Sequence, residues 1–182
     1  MGTIAAALLG VATIQIVHRL NKQAQPSYTA SDLYSTALAQ VDKGNYKQAE
    51  AYLEQALLKE DDQTYRNQLA VVKYRLKEYG DAVIQYHILI DRKQDVAFSW
   101  NGIGNAYRDW ATVDLAQHDA DIAQATHAYQ SAIAADPGYV AAYSNLALLL
   151  NSEGKHGEAL AIVDQGIAAT KQPELTTLRS QL

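Results

Sequence analysis

Residues 100–107 read WNGIGNAY, which places an aromatic residue, an aliphatic residue, a glycine and a tyrosine at the spacing W-x2-(L/I)-G-x2-Y. Small, aromatic and proline residues follow at set distances, namely Ala125, Tyr129, Ala132 and Pro137. The same spacing returns directly afterwards, at Tyr143, Leu146, Ala147, Leu150, Gly154, Ala159, Val163 and Gly166. Weaker versions precede it, marked by Tyr79, Ala82 and Tyr86 and by Gly44, Tyr46, Ala49, Leu53 and Ala56. Recurrence at a fixed period indicates an array of small repeats.

This pattern resembles the tetratricopeptide repeat (TPR), a helix–turn–helix unit of about 34 residues. The resemblance implies an all-α fold, a right-handed TPR superhelix of four helix pairs followed by a C-terminal capping helix. Four registers cover residues 30–173 without gaps: 30–62, 63–96, 97–139 and 140–173. The third register carries an insertion of about nine residues. Residues 174–182 are expected to form the cap, with leucines on one helical stripe at Leu175, Leu178 and Leu182.

Small residues at fixed register positions are expected to let paired helices approach closely, while large aromatic residues fill the space between turns. The small positions are Ala37, Ala70, Gly104 and Ala147 in the first helices and Ala49, Ala82, Ala125 and Ala159 in the second helices. Most of the 12 tyrosines are therefore interpreted as packing residues. Because no unit can bury its apolar face alone, stacking of successive units is expected to make the core.

Residues 1–20 are predicted to form an uncleaved, single-pass N-terminal transmembrane helix, with residues 21–29 as a linker. The stretch from Ile4 to Val17 has no charged residue, and Arg19 and Lys22 follow it. Because positively charged flanks stay on the cytoplasmic side, this anchor would leave the repeats on the cytoplasmic or stromal side of the membrane. Two alternatives stay open: a signal peptide cleaved after Ala24, and a buried or interfacial helix.

Composition argues against several classes of function. The chain of 182 residues has no cysteine, which excludes disulfides, thiolate metal sites and cysteine nucleophiles. Residues 30–182 carry 13 basic and 20 acidic side chains, and an acidic body of this kind is expected to repel nucleic acid. The histidines lack the spacing of metal ligands, and Gly102 and Gly104 lie inside a predicted helix instead of after a strand. We therefore predict a protein that is not an enzyme and has no catalytic residues, metal site or cofactor.

The resemblance also implies a binding groove, because the first helices of TPR arrays line a concave surface that contacts protein partners. The register positions that face this groove hold asparagines, aromatic residues and one arginine. Asparagines could hydrogen-bond a partner's backbone, while the aromatic residues supply apolar contact. The groove candidates are Tyr34, Asn67, Tyr74, Phe98, Asn101, Asn105, Arg108, Asn145 and Asn151. The lysines of a carboxylate clamp are missing, so a receptor for chaperone tails is not expected.

The insertion in the third register is the second candidate surface. It lies between Tyr107 and Ile122, and its stretch DWATVDLAQHD has good helix formers and no glycine or proline. We expect it to lengthen both helices by about a turn and not to form a loop. Trp110, Val113 and Leu115 would then be either packed between the extended helices or exposed as a docking patch.

In size and layout the whole chain resembles the small membrane-anchored TPR proteins of cyanobacteria and chloroplasts that assist photosystem I assembly. The resemblance implies a non-enzymatic scaffold in the thylakoid membrane that binds photosystem I subunits or assembly intermediates, with residues 1–20 in the bilayer. The same layout fits a bacterial inner-membrane adaptor for secretion, pilus or envelope complexes, which is the alternative. A soluble exported TPR protein would follow if the N-terminal segment were a cleaved signal peptide.

Overall fold

The computed structural model describes residues 28–182, which form nine α-helices and no β-strand. They are α1 (Ala30–Asp42), α2 (Tyr46–Lys59), α3 (Gln63–Arg75), α4 (Tyr79–Asp91), α5 (Val96–Trp110), α6 (His118–Ala135), α7 (Val140–Ser152), α8 (His156–Thr170) and α9 (Pro173–Arg179). The all-α prediction is confirmed for this part of the chain. The predicted transmembrane helix over residues 1–20 lies outside the described residues, and within 28–182 no helix is long and apolar enough to cross a bilayer.

The helices pack in sequence order, each against the one before and the one after. The pairs α1–α2, α3–α4, α5–α6 and α7–α8 stack side by side, and α5 also contacts α7 directly. Helix α9 packs on α8 and α7. The core therefore runs as a series of apolar clusters from Leu33 in the first pair to Leu175 in the last helix.

Two helix starts are fixed by side-chain caps, which satisfy backbone N–H groups that have no partner inside the helix. The Thr29 hydroxyl accepts from the N–H of Asp32 at 3.1 Å, while the Asp32 carboxylate accepts from the N–H of Thr29 at 2.9 Å. This reciprocal arrangement begins α1. Asp62 caps α3 by accepting from the N–H of Thr64 at 2.6 Å. The two caps therefore fix where α1 and α3, the first helices of the first and second pairs, begin.

The turns inside the first, second and fourth pairs share one backbone geometry. Each places a residue in the left-handed region directly after the C-cap residue of the first helix: Gly44 at φ 75°, Lys77 at φ 62° and Gly154 at φ 73°. In each turn the next residue donates its N–H to a carbonyl five positions earlier, as Asn45 does to Gln40 at 2.9 Å. This pattern is the common helix C-terminal motif, and glycine suits it because the left-handed region is strained for other residues.

The eight small register positions are all buried, as the sequence predicts. Two glycines of α5 show why small residues are needed there. An added Cβ on Gly102 would lie 2.6 Å from Cε2 of Tyr86, and one on Gly104 would lie 2.5 Å from Cδ1 of Tyr129. Real Cβ atoms do not approach other carbons so closely, so each glycine makes room for a tyrosine ring from a neighbouring helix.

The insertion in the third pair lengthens its helices and also forms a loop. Helices α5 and α6 have 15 and 18 residues, against 13 and 14 in the first pair. Seven residues, 111–117, connect them outside the helices. The expectation of longer helices is confirmed, whereas the expectation that no loop would form is wrong. Side chains compete with the helix here: the Thr112 hydroxyl donates to the carbonyl of Asp109 at 2.7 Å, and Asp114 accepts from the N–H of Ala116 at 3.2 Å.

Helix α9 covers the end of the last pair. Leu175 is fully buried and lies over Gly166 and Tyr143, at distances that leave no space for a Cβ on Gly166. Pro173 occupies the first turn of this helix, where its missing N–H is not needed. Leu178 and Leu182 are partly buried against the same cluster.

Candidate protein-binding site

The predicted groove residues lie on the first helices of the four pairs, α1, α3, α5 and α7, and we call their shared side the first-helix face. Three side-chain ties connect successive first helices across this face. The rings of Tyr34 and Tyr65 join α1 to α3, with centroids 4.8 Å apart. The hydroxyl of Tyr74 donates to the Asp109 carboxylate and joins α3 to α5. The Asn145 amide donates to Oδ1 of Asn101 at 2.9 Å and joins α7 to α5.

A polar network surrounds the middle tie. Arg108 donates from Nε to Oδ1 of Asp109 at 2.9 Å, so the carboxylate is shared between a guanidinium and a phenol. Burial raises the pKa of Tyr74 to about 12, and the hydrogen bond to Asp109 and its negative charge add to the shift. Tyr74 therefore stays protonated and donates at all physiological pH values. The side chain of Arg108 is 33% exposed, so part of this cationic side chain is accessible to a partner.

Most of the predicted asparagines already have partners within the chain. Asn101 is buried in its bond with Asn145. Asn105 accepts from the hydroxyl of Tyr129 at 2.8 Å, Asn151 hydrogen-bonds the ring of His156, and Asn67 donates to Asp95 at 2.6 Å. These amides therefore fix the positions of helices and turns, and a ligand would have to compete for them.

Apolar side chains supply the accessible part of the first-helix face. Phe98 at the start of α5 is 36% exposed, with its ring edge-on to Tyr86 at 6.1 Å between centroids. Leu148 in the middle of α7 is 48% exposed. Phe98, Leu148 and the guanidinium of Arg108 give this face two apolar contacts and one cation for a bound polypeptide.

The three predicted insertion residues divide between the two alternatives. Trp110 is partly buried and packs on Tyr79 and Tyr107, with ring centroids 6.3 and 6.1 Å away. Val113 and Leu115 lie on the connection 111–117 and are 66% and 77% exposed. The tryptophan is thus a packing residue, and the two aliphatic side chains are available at the surface.

Some residues that shape the face have no groove position in the TPR register, so the sequence analysis missed them. Asp109 is the centre of the polar network, and Asp95 holds both Asn67 and Gln63 from the turn before α5. The sequence signal for Asp109 was its place directly after Arg108 in a helix with no other acid. A further ion-pair cluster joins Lys73 of α3 to Glu50 of α2 and to Glu78, the residue that precedes α4.

The described part of the chain offers little to metal or cofactor chemistry. Across residues 28–182, no group of three or more histidine or acidic side chains is arranged to hold a metal ion. The histidines instead make local contacts, such as the edge-on contacts of His87 and His127 with Trp100. The site's functional groups are amides, one guanidinium and exposed apolar side chains, which suit binding of a polypeptide.

Comparison with known families identifies the repeat. Two family models, each described as tetratricopeptide repeat, match residues 34–96 and 115–182. Residues 34–96 and 115–182 are therefore tetratricopeptide repeats, a fold that binds protein partners, and neither model describes a catalytic family. No curated protein matches the sequence.

Solved structures of the same fold come from several bacteria. The thermophilic TPR protein TTC0263 of Thermus thermophilus is 18% identical, with a TM-score of 0.67 over 84% of this chain and 80% of that chain. MamA from residue 41 onward, of Desulfovibrio magneticus RS-1, is 18% identical, with a TM-score of 0.61 over 77% and 75%. A TPR protein from Parabacteroides merdae ATCC 43184 is 18% identical, with a TM-score of 0.61 over 79% and 54%. At this identity the likeness shows the fold.

Proposed function

We propose that this tetratricopeptide-repeat chain is a membrane-tethered, non-enzymatic scaffold that binds protein partners during assembly of photosystem I. The binding role is supported by the first-helix face, where Phe98, Leu148 and Arg108 remain accessible while the surrounding amides are fixed by internal hydrogen bonds. Pre-organised surfaces of this kind bind without a large ordering cost. This combination of fixed polar groups and exposed apolar groups is the observation that carries the proposal.

The membrane tether is proposed from the sequence of residues 1–20, whose apolar stretch precedes Arg19 and Lys22. A single-pass helix there would keep the repeats on the cytoplasmic or stromal side of a thylakoid membrane. The photosystem I role is proposed from the layout of anchor, short linker and repeat array, which resembles assembly factors of cyanobacteria and chloroplasts. The proposed partners are photosystem I subunits or incomplete complexes.

A tagged pull-down of the full chain from gently solubilised native membranes tests the proposal. We expect mass spectrometry to find photosystem I subunits enriched over an untagged control, with incomplete complexes prominent. Recovery of secretion, pilus or envelope components instead would replace the photosynthetic role with that of an inner-membrane adaptor. Absence of any specific partner would contradict the scaffold role itself.

A matched pair of variants connects the pull-down to the first-helix face. Leu148→Ser removes an exposed apolar contact on α7, and Leu58→Ser makes the same change on α2, where the side chain is 87% exposed. We expect Leu148→Ser to reduce partner recovery and Leu58→Ser to leave it unchanged. Equal recovery with both variants would mean that the partner binds elsewhere on the array.

A further inference from the structure

The connection between α5 and α6 presents apolar side chains from a fixed backbone. The N–H groups of Val113 and Asp114 both donate to the carbonyl of Trp110, at 2.8 and 3.0 Å, and that of Gln117 donates to the carbonyl of Asp114 at 3.1 Å. Trp110 anchors the start of the connection by its packing on Tyr79. Val113 and Leu115 are therefore held outward at 66% and 77% exposure. Exposed apolar side chains that lie close together and are rimmed by polar residues can mark a protein-interaction site.

His118 fastens this connection to the next helix pair. Its Nδ1 lies 3.1 Å from the carbonyl oxygen of Ala111, and its Nε2 lies 3.6 Å from the carboxylate of Glu153 in the turn between α7 and α8. Both neighbours are hydrogen-bond acceptors, so the ring satisfies both of them when each nitrogen carries a proton. The contact fixes the position of the connection relative to the fourth pair.

The charge of the array is concentrated around the same place. Residues 109–154 contain six acidic side chains and no lysine or arginine. By contrast, residues 28–108 contain 11 acidic and 10 basic side chains, and residues 155–182 contain three of each. Six of the seven net negative charges of residues 28–182 therefore belong to residues 109–154, from the end of α5 to the turn after α7.

Three of these acids have no basic partner in the described part of the chain. Asp114, Asp119 and Asp121 follow one another from the connection into the first turn of α6, and none lies within 4.0 Å of a lysine or arginine. Burial raises the pKa of Asp121, and repulsion from Asp114 adds to the shift while His118 opposes it. By contrast, some acids elsewhere in the array are paired, as Asp164 is with Arg179 at 2.5 Å.

A cleft with a volume of about 500 Å³ continues from this acidic turn toward the fourth pair. Asp119, Ile122 and Thr126 line it from α6, and Glu153 and Lys155 line it from the turn between α7 and α8. A long cationic side chain with an aliphatic stem fits both its apolar lining and its carboxylates. The cleft therefore extends the acidic surface with a recess that can take such a side chain.

We propose that this third-pair edge, made of Val113, Leu115, Asp114, Asp119 and Asp121 together with the adjoining cleft, is a docking surface for a basic, apolar segment of a partner protein. Aliphatic side chains of the segment cover Val113 and Leu115, while its lysines or arginines neutralise the unpaired carboxylates. Charge complementarity decides the occupant, because an anionic partner would be repelled by the same group. The inference rests on the proposed function and names one of its binding surfaces.

Selection of random displayed peptides on the purified full chain tests this assignment. We expect the enriched peptides to combine leucine, isoleucine or phenylalanine with lysine or arginine and to carry net positive charge. Val113→Ser/Leu115→Ser should weaken their binding by about tenfold or more, the range of an apolar hot spot. Leu58→Ser, which changes an equally exposed leucine on α2, should leave the binding unchanged.

A charge variant separates the electrostatic part of the interaction. Asp119→Asn/Asp121→Asn should weaken binding of the same peptides and reduce its sensitivity to added salt, because fewer charges are screened. Asp42→Asn/Asp91→Asn removes two exposed acids at the ends of α1 and α4 and serves as the matched control. We expect this control to leave both affinity and salt dependence unchanged.

Three outcomes would overturn the assignment. Enriched peptides that are neutral or acidic, or that bind Val113→Ser/Leu115→Ser as tightly as the original chain, would exclude the third-pair edge. Binding abolished by Leu148→Ser but not by the edge variants would do the same, while leaving the scaffold function in place on the first-helix face. Failure to enrich any peptide would count against both the edge and the proposed scaffold function.

Discussion

The ring of Tyr129 lies directly against the Cα of Gly104, so that an added Cβ would come within 2.5 Å of the ring carbon Cδ1. The same tyrosine donates its hydroxyl to Asn105, the next residue of α5, at 2.8 Å. Gly102 receives Tyr86 of α4 in the same way. Gly102 and Gly104 thus lack side chains at two points on α5. This absence lets Tyr86 of α4 and Tyr129 of α6 pack directly against the α5 backbone.

Replacing Gly104 by alanine tests this contact. We expect Gly104→Ala to lower the free energy of unfolding by about 1–3 kcal/mol, as is typical when a well-packed core is overfilled. Urea unfolding followed by circular dichroism measures the change. Gly157→Ala is the control, because no atom lies within 4 Å of the added Cβ in α8. Alanine favours helix over glycine, so this control should be neutral or stabilising by up to about 1 kcal/mol.

Replacing Lys77 by glycine should stabilise the second pair. Lys77 sits at φ 62° in the turn where the first and fourth pairs have Gly44 and Gly154. Relief of the left-handed strain is expected to raise the free energy of unfolding by about 0.5–1 kcal/mol. Lys43→Gly changes a lysine in the ordinary helical region, at φ −84°, and should be destabilising or neutral. A loss of stability with Lys77→Gly would contradict the interpretation that the left-handed backbone at Lys77 is strained.

The effect of removing Lys73 on the free energy of unfolding is expected to depend on whether its ion-pair partner Glu50 is still present. Their side chains are 13% and 6% exposed, and burial opposes the charge of Lys73, but Glu50 and Glu78 outweigh that effect and raise its pKa. Lys73→Met should cost about 3 kcal/mol, the low end for breaking a buried ion pair, because the buried Glu50 carboxylate then keeps only the solvent-exposed Lys47 as a cation. Lys73→Met/Glu50→Leu should recover most of that loss in thermal or urea unfolding.

An exposed lysine of the same cluster provides the comparison. Lys47 contacts Glu50 and Glu78 with a side chain that is 69% exposed. Because solvent screens such pairs, Lys47→Met should change the free energy of unfolding by no more than about 1 kcal/mol. Equal losses from Lys47→Met and Lys73→Met would show that burial does not decide the strength of this cluster.

Protonation of His118 should stabilise the contact between the third and fourth pairs. Its hydrogen bond to the carbonyl of Ala111 raises its pKa, and the negative charges of Glu153 and Asp119 add to the shift. Because the folded-state pKa is higher than the unfolded one, this stabilisation is fully present below about pH 6.5 and is lost as the pH rises through the raised value. His118→Gln should therefore lower stability at about pH 5.5 more than at about pH 8.

Nuclear magnetic resonance checks the cause of that pH dependence. The ring signals of His118 should titrate above the ordinary histidine value, and Glu153→Gln should move the pKa down by removing one negative charge. An unchanged His118 titration in Glu153→Gln would remove Glu153 from the contact.

The fold was predictable where a residue's size or backbone preference acts locally. Ala125 and Ala159 are fully buried, as predicted. Their burial was predictable because the spacing of small residues within one repeat already identifies the positions where its two helices touch. The connection 111–117 was not predictable in this way. Its composition favours helix, but Thr112 and Asp114 bind nearby backbone groups instead, and the exposed side chains there gain no packing from staying helical.

The candidate site was predictable only in part, because register positions identify a face but not the partners that side chains find on it. Asn101 and Asn145 are separated by 44 positions and meet only after two pairs have stacked. Asp109 was not predictable because its partner, the hydroxyl of Tyr74, lies in the preceding pair. Val113 and Leu115 were identified from the sequence as candidates together with Trp110. The sequence did not show that α5 ends at Trp110, so that the tryptophan packs on the helix pair while Val113 and Leu115 lie exposed on the connection.

The three ties across the first-helix face also bear on how the array responds to force. Each tie joins one pair to the next, so stretching the chain of pairs would load the rings of Tyr34 and Tyr65, the bond from Tyr74 to Asp109 and the bond from Asn145 to Asn101 as separate links. A stack held by contacts between neighbours yields one junction at a time. Pulling the protein from its ends should therefore produce a series of small extensions before the pairs themselves unfold, and a partner held across several first helices would suppress them.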